Sequence, residues 1–182
     1  MTLVIGLIGR IASGKGEAAK YLSEKYYAKT FRFSDILKDI LETLGIEDTR
    51  KNLQLLGETL RKSFGENILV DAMRSKILRS DSKIIVIDGI RYASEAKIVR
   101  SSKPNLLLFV DAPLEVRYER AVLRSTRGES DISLDDFRKS DFSGTEAMFD
   151  ELVGLTDVVI DNVGDIEEFQ VKVDESVRSL IA

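Results

Sequence analysis

Apolar residues in this chain fall into short continuous runs, separated by longer stretches in which they recur every three or four positions. The clearest runs are Leu3–Ile8, Ile84–Ile87, Leu106–Val110 and Val158–Ile160, rich in Ile, Val and Leu and without polar alternation. Strands read this way when a parallel sheet is covered on both faces. Lys29–Phe33 ("KTFRF") is a weaker candidate. After the first run, Ala18, Ala19, Leu22 and Tyr26 would share one helical face; after the second, Ile36, Leu37, Ile40, Leu41 and Leu44 would do the same. The stretches "TRKNLQLLGETLRKSF" and "ILVDAMRSKIL" predict further helices ahead of Ile84. Ser133 with Asp136, and Asp165 with Glu168, have the spacing of capped helix starts, and Pro113 suits a first helical turn. The order is β-α-β, several helices, then β-α-β-α-β-α. It predicts a three-layer α/β/α sandwich on a parallel five-stranded sheet with right-handed crossovers. The helical stretch 36–80 and the polar stretch 125–135 are insertions between sheet elements, natural places for moving substrate-binding parts.

A length of 182 residues suits one compact domain over 1–182, and 43% apolar with 32% charged residues is a globular balance. No apolar run is long enough to span a membrane. The chain starts almost directly on a strand-like run with no charged leader region, so it is expected in the cytoplasm, away from membranes. With no cysteine and no histidine, any chemistry must rest on Lys, Arg, Asp, Glu and the backbone. A net charge of −4 argues against nucleic-acid binding by the surface as a whole and leaves room for a local basic site.

Gly9, Gly14 and Lys15 in "GRIASGKGEAAKYL" have the G-x-x-x-x-G-K spacing of a phosphate-binding loop, between a strand and a helix as that loop requires. Glycines let backbone N–H groups approach an anion, the following helix adds partial positive charge, and Lys15 reaches bridging phosphate oxygens. Where a magnesium-binding Ser or Thr usually follows the lysine, this chain has Gly16 and then Glu17. Glu17 either approaches Mg²⁺ through water or simply favours the first helical turn. Asp88, at the end of a buried run, occupies the position of the carboxylate that orders metal-bound water in phosphate-loop enzymes. Arg117, Arg120, Arg124 and Arg127 would line one helical face, which is either a polyanion site or a solvated surface.

"GKG" resembles the loop of adenylate-kinase-like nucleotide kinases, in which threonine comes next; Glu17 departs from that pattern. "DGIR" resembles the D-G-F-P-R segment of nucleoside monophosphate kinases with one residue deleted. The likeness implies that Arg91 grips the acceptor phosphate, where its other reading is a surface pair with Glu95. Glu95 takes the place of a base-reading glutamine and would favour a base that presents donors. "ERAVLR" resembles the segment that opens the lid of adenylate kinases. That implies a short lid over 117–140, with Arg120 against the adenine of ATP and Arg124 at the transferring phosphoryl group. "DDFRKSDFSGTEAMFDEL" resembles proteins related to dephospho-coenzyme A kinase and deoxynucleoside monophosphate kinase, except that Ser140 replaces their arginine before Asp141. Arg138 or Lys139 is the substitute this reading offers.

The resemblance therefore implies a P-loop kinase. ATP would lie on Gly9, Ile11, Ala12, Ser13, Gly14, Lys15, Gly16, Glu17 and Arg120. Lys15, Arg124 and Asp88 would be catalytic, and Asp88 and Glu17 would hold Mg²⁺ through water. The acceptor would lie on Asp35 and Arg61, at the start of and within the 36–80 insertion, and on Arg91 and Glu95 after the third strand, although Ser34 and Asp35 also read as a helix N-cap. The expected acceptor is a small phosphorylated molecule, a nucleoside or deoxynucleoside monophosphate. The alternatives are a hydroxyl acceptor, as in dephospho-coenzyme A kinase, and a nucleotide-dependent switch or weak ATPase.

Overall fold

The alternation missing from the apolar runs reappears in three dimensions as a division between two cores. In the computed structural model, which describes residues 1–124, 133–142 and 146–181, the first run is strand β1 (Leu3–Ile8). Its Val4 and Ile8 pack into one hydrophobic cluster, while Leu3, Ile5 and Leu7 pack into another. β3 (Ile84–Ile90) sends Ile85 and Ile87 one way and Ile84 and Val86 the other, and β4 (Asn105–Asp111) divides likewise. A period of two with both faces covered produces continuous apolar runs. With β2 (Lys29–Arg32) and β5 (Val158–Asp161), the described residues form one parallel sheet in the order β2-β3-β1-β4-β5.

One layer consists of α1 (Lys15–Tyr26) and α9 (Ile166–Ile181), which pack through Ala18, Leu22, Phe169, Val173 and Val177. The other is built from α2 (Phe33–Thr43), α3 (Arg50–Phe64), α4 (Ile68–Leu78), α5 (Ala93–Ser101) and α8 (Glu146–Val153). α6 (Leu114–Arg124) and α7 (Leu134–Phe142) form a small third cluster in which Ala121 and Phe137 pack beside Ala12. No described helix is long and apolar enough to cross a membrane.

Most expected elements form, with local shifts. β2 ends at Arg32, and α2 starts at once on Phe33, so Arg32 is the N-cap residue and neither Ser34 nor Asp35 caps the helix. Asp35 instead sits in the first turn, where a carboxylate suits the helix dipole. Pro113 precedes the first turn of α6, and its carbonyl accepts from Arg117 N. Ser133 and Asp136 form the expected reciprocal cap, with Asp136 N donating to Ser133 Oγ at 3.1 Å and Ser133 Oγ to Asp136 Oδ2 at 2.7 Å. Asp165 Oδ1 accepts from Glu168 N at 2.9 Å. β3 continues past Asp88: Leu7 pairs with Asp88 and Ile8 with Ile90, so Gly89 bulges out at φ 85°. A bulge of this kind re-aims the side chains beside it.

Candidate functional site

The loop between β1 and α1 is held by its own backbone and by side chains from the next elements. Gly9 and Gly14 have φ values of 150° and 112°. A side chain at Gly9 would collide with Val110 O, and one at Gly14 with Asn162 Nδ2, so both positions require glycine for conformation and for space. Ala12 has a φ of 59°, a conformation that a non-glycine residue adopts only when its surroundings impose it. Around Gly16 nothing lies within 4 Å of where a Cβ would be, so no packing reason excludes a larger residue there. Lys15 Nζ donates to Gly9 O and Arg10 O, both at 2.7 Å, and so closes the loop on itself.

Two supports were not visible in the motif. Asn162, 6% exposed just beyond β5, donates from Nδ2 to Ser13 O at 2.8 Å. Arg117, 4% exposed in α6, donates from Nε to Ala112 O at 2.9 Å and from Nη1 to Ile11 O at 3.3 Å, with Phe137 beneath its guanidinium. Arg117 therefore departs from the expected arginine face: it is a buried brace on the loop. Arg120 points to a different place, and its Nη2 lies 3.4 Å from Asn162 Oδ1. Arg127, together with the side chains of Arg124, Ser140 and Asp141, lies outside the described residues.

Beside the loop is a cavity of about 270 Å³ lined by Gly14, Glu17, Arg120, Asn162, Gly164, Asp165, Ile166 and Phe169. Arg120 Nη1 is buried with no hydrogen-bond partner, and so is Ser13 Oγ within the loop. An unpaired buried donor costs on the order of 1–3 kcal/mol, so such a group is an expected contact for a ligand. Glu17 faces this cavity, which Asp88 does not line, and no described contact links the two carboxylates.

On the other side of β1, Asp88 is 9% exposed and its Oδ2 accepts from Arg32 Nε at 2.8 Å. Sequence reading had assigned Arg32 nothing. Among the described residues no cluster of carboxylates or other ligating side chains could hold a metal by itself. A magnesium ion carried mainly by phosphate oxygens and water, with one carboxylate in reach, fits this donor set.

Past the bulge, Glu95 is 3% exposed. Its Oε2 accepts from Arg91 N at 2.9 Å, and its Oε1 lies 3.4 Å from Arg61 Nη2. Burial pushes the Glu95 carboxyl above the usual glutamate range, against the opposing pull of Arg91 N–H and the Arg61 guanidinium. The expected base contact is thus not presented by Glu95 in this structure: the carboxylate is turned inward onto the Arg91 backbone N–H and the Arg61 guanidinium. The Arg61 guanidinium stacks on the Tyr92 ring at 4.7 Å. The Arg91 side chain is exposed, makes no described ion pair and does not form the alternative surface pair with Glu95. Asp35 is half-buried and lines a different cavity of about 510 Å³ with Lys38, Asp39, Glu42, Ile46, Glu47 and Asp48. That cavity is mainly carboxylate-walled and has the wrong charge for an anionic acceptor.

Comparison with known proteins decides the family. A family model described as an AAA domain matches residues 8–138. The chain belongs to that AAA-domain family. A "UPF0200 protein" of Methanosarcina acetivorans is 29% identical over 185 residues, covering 100% of this chain and 97% of the relative. Among solved structures, TT1252 from Thermus thermophilus superposes with a TM-score of 0.70 at 18% identity, covering 98% of each chain. A shikimate kinase from Bacteroides thetaiotaomicron gives 0.64 at 12% identity, covering 97% of this chain and 98% of that one. At these identities the likeness is one of fold: this AAA-domain chain has the α/β architecture of P-loop kinases.

Proposed function

We propose that this protein is an ATP-dependent kinase of a small phosphorylated acceptor, a nucleoside or deoxynucleoside monophosphate. The observation that carries the acceptor half is the buried Glu95, which accepts from the Arg61 guanidinium and from the backbone N–H of Arg91 and so sets the two arginines near one another. The Arg61 guanidinium is fixed against Tyr92, and the Arg91 side chain is exposed. This is a prepared site for an anion. The donor half rests on the loop around Lys15 and on the unpartnered Arg120 Nη1 in the neighbouring cavity. Magnesium carried by the phosphates would supply charge neutralisation, and Asp88 would hold its water. Glu17, which lines the cavity beside Gly14 and Arg120, would either reach the metal through water or only favour the first turn of α1. A phosphate acceptor attacks with an oxygen that is already anionic, so the chain needs positioning arginines and no base, in keeping with its lack of histidine.

A second reading, phosphorylation of a hydroxyl, is favoured by the half-buried Asp35, whose side chain makes no described hydrogen bond, and by the likeness to a shikimate kinase. Transfer from labelled ATP to a panel of nucleoside monophosphates and phosphate-free hydroxyl acceptors separates these readings. On the preferred one, Arg91→Ala raises the acceptor's KM strongly with ATP binding intact, and Asp35→Asn costs less than about tenfold in kcat. A general base is worth roughly 10²–10⁴-fold, so loss of activity in Asp35→Asn with a mild Arg91→Ala moves the assignment to the hydroxyl kinase. ATP hydrolysis with no acceptor phosphorylated would leave only the switch or weak ATPase.

A further inference from the structure

We propose that Arg32 is a stand-in cation for magnesium: it holds Asp88 in the nucleotide-free protein and leaves when the metal nucleotide binds. The inference rests on the assignment of Asp88 to the metal made above. Asp88 sits in β3 with its side chain 10% exposed, so its carboxylate cannot follow a partner out into water. A nearly buried carboxylate without a counter-charge is costly, and Arg32 supplies that charge at 2.8 Å. The two partners are unequal. Arg32 belongs to the edge strand β2, and its side chain is 46% exposed. It is the N-cap residue of α2 but makes no side-chain cap there, so its guanidinium has no helix-capping bond to lose. Released into water, it regains its hydration at little cost.

A divalent ion one water away from Asp88 meets the guanidinium across the same carboxylate. At that range the two cations repel across the same carboxylate, while the half-exposed guanidinium gives up one charge-assisted hydrogen bond that water can replace. The arriving metal therefore replaces Arg32. The signs of the expected effects follow. Removing the guanidinium takes away a competitor and tightens the metal, and the metal-free protein loses the counter-ion of a buried carboxylate.

Titration calorimetry of ADP at graded Mg²⁺ concentrations tests this in the whole protein. In Arg32→Gln the Mg²⁺ concentration that half-saturates the gain in ADP affinity should fall about tenfold. ADP binding without metal should stay as in the wild type, and the ligand-free thermal midpoint should drop. Arg32→Lys, which keeps the charge, should remain near the wild type. In an Asp88→Asn background the Arg32→Gln effect on magnesium should vanish. An unchanged or raised Mg²⁺ requirement in Arg32→Gln overturns the inference, the raised value meaning that Arg32 orients Asp88 for the metal. A wild-type magnesium dependence in Asp88→Asn instead overturns the metal assignment beneath it, and the inference with it. Should Arg32→Gln fail to fold, a crystal structure of the wild type with Mg·ADP decides. Arg32 Nε beyond hydrogen-bond reach of Asp88 supports the exchange, and a retained bond refutes it.

Discussion

At the scale of single residues, Lys15 and Glu95 show how differently two charged groups can depend on the fold. Lys15 donates to two carbonyls of its own loop, Gly9 O and Arg10 O, from the start of α1. Lys15→Ala should leave the ligand-free thermal midpoint nearly unchanged and remove the stabilisation by Mg·ATP. For a ligand at a hundredfold excess over its Kd that stabilisation is about 2.7 kcal/mol. A mutant that keeps the full ligand-induced shift contradicts the phosphate role. Glu95 instead carries a pH signature. Its carboxyl is raised above the ordinary value of 4.5, so the folded state binds the proton more tightly than the unfolded chain does. The contribution is complete below that ordinary value and is lost as pH rises through the raised one. Glu95→Gln cannot ionise, so its stability relative to the wild type should increase as pH rises from about 4 toward neutrality. Urea unfolding at a series of pH values measures this difference. A flat or falling difference rejects burial as the dominant cause.

At the scale of elements, the connection from β4 into α6 decides the state of the phosphate loop. Arg117 ties Ala112, at the end of β4, to Ile11 inside the loop from a nearly dry position. Hydrogen bonds to a charged group are worth roughly 1.5–3 kcal/mol each. Arg117→Met should therefore lower global stability by about 2–4 kcal/mol and weaken ATP as well, because the loop loses its brace. Arg120→Ala, one turn further along α6, should weaken ATP by about 1–2 kcal/mol with little change in ligand-free stability. Denaturant midpoints and ATP titrations on the two variants keep these effects apart; equal losses of stability would make both arginines structural. The pair also shows where sequence reading stops. Period-two burial, turn glycines and cap spacing are local, and β1, β3, β4 and the Ser133–Asp136 start could be read from short windows. The G-x-x-x-x-G-K loop could be read because its backbone conformation demands particular residues. Arg117 and Arg120 share a helix and a residue type, and only the arrival of Ile11 or Asn162 from distant segments separates them. Asn162 and Arg32 were missed for the same reason: each acts on a partner brought close by strand order, and nothing in its own neighbourhood announces this. Glu95 was expected to face a base, whereas its carboxylate turns inward onto the Arg91 N–H and the Arg61 guanidinium, which arrives from a distant helix.

At the scale of the whole molecule, the parallel sheet puts the candidate chemistry at one edge and leaves the rest of the sandwich for stability. The phosphate loop, Arg32, Asp88 and Asn162 all lie at the carboxyl ends of strands or just beyond them. Away from them, beside the last turn of α1, Asp174 of α9 accepts from Lys25 and Tyr26, and from Arg178 at 2.8 Å, and so joins the helix that follows the phosphate loop to the final helix described. The Lys25 ammonium first, then Tyr26 and Arg178, hold the Asp174 carboxyl well below the usual carboxylate range. A depressed folded-state value means that the stabilisation is present above the unfolded value of 3.8 and disappears as pH falls below it. Asp174→Asn should thus be less stable than the wild type at neutral pH, and the gap should close on acidification below about 4. The Mg·ATP-induced shift of the thermal midpoint at neutral pH should be the same in both proteins, because the junction touches none of the loop's supports. Thermal scans with and without Mg·ATP over this pH range test both halves of the claim. A gap that persists in acid would mean that packing between α1 and α9 sets the loss, and a diminished nucleotide shift would mean that the junction reaches the loop through the length of α1.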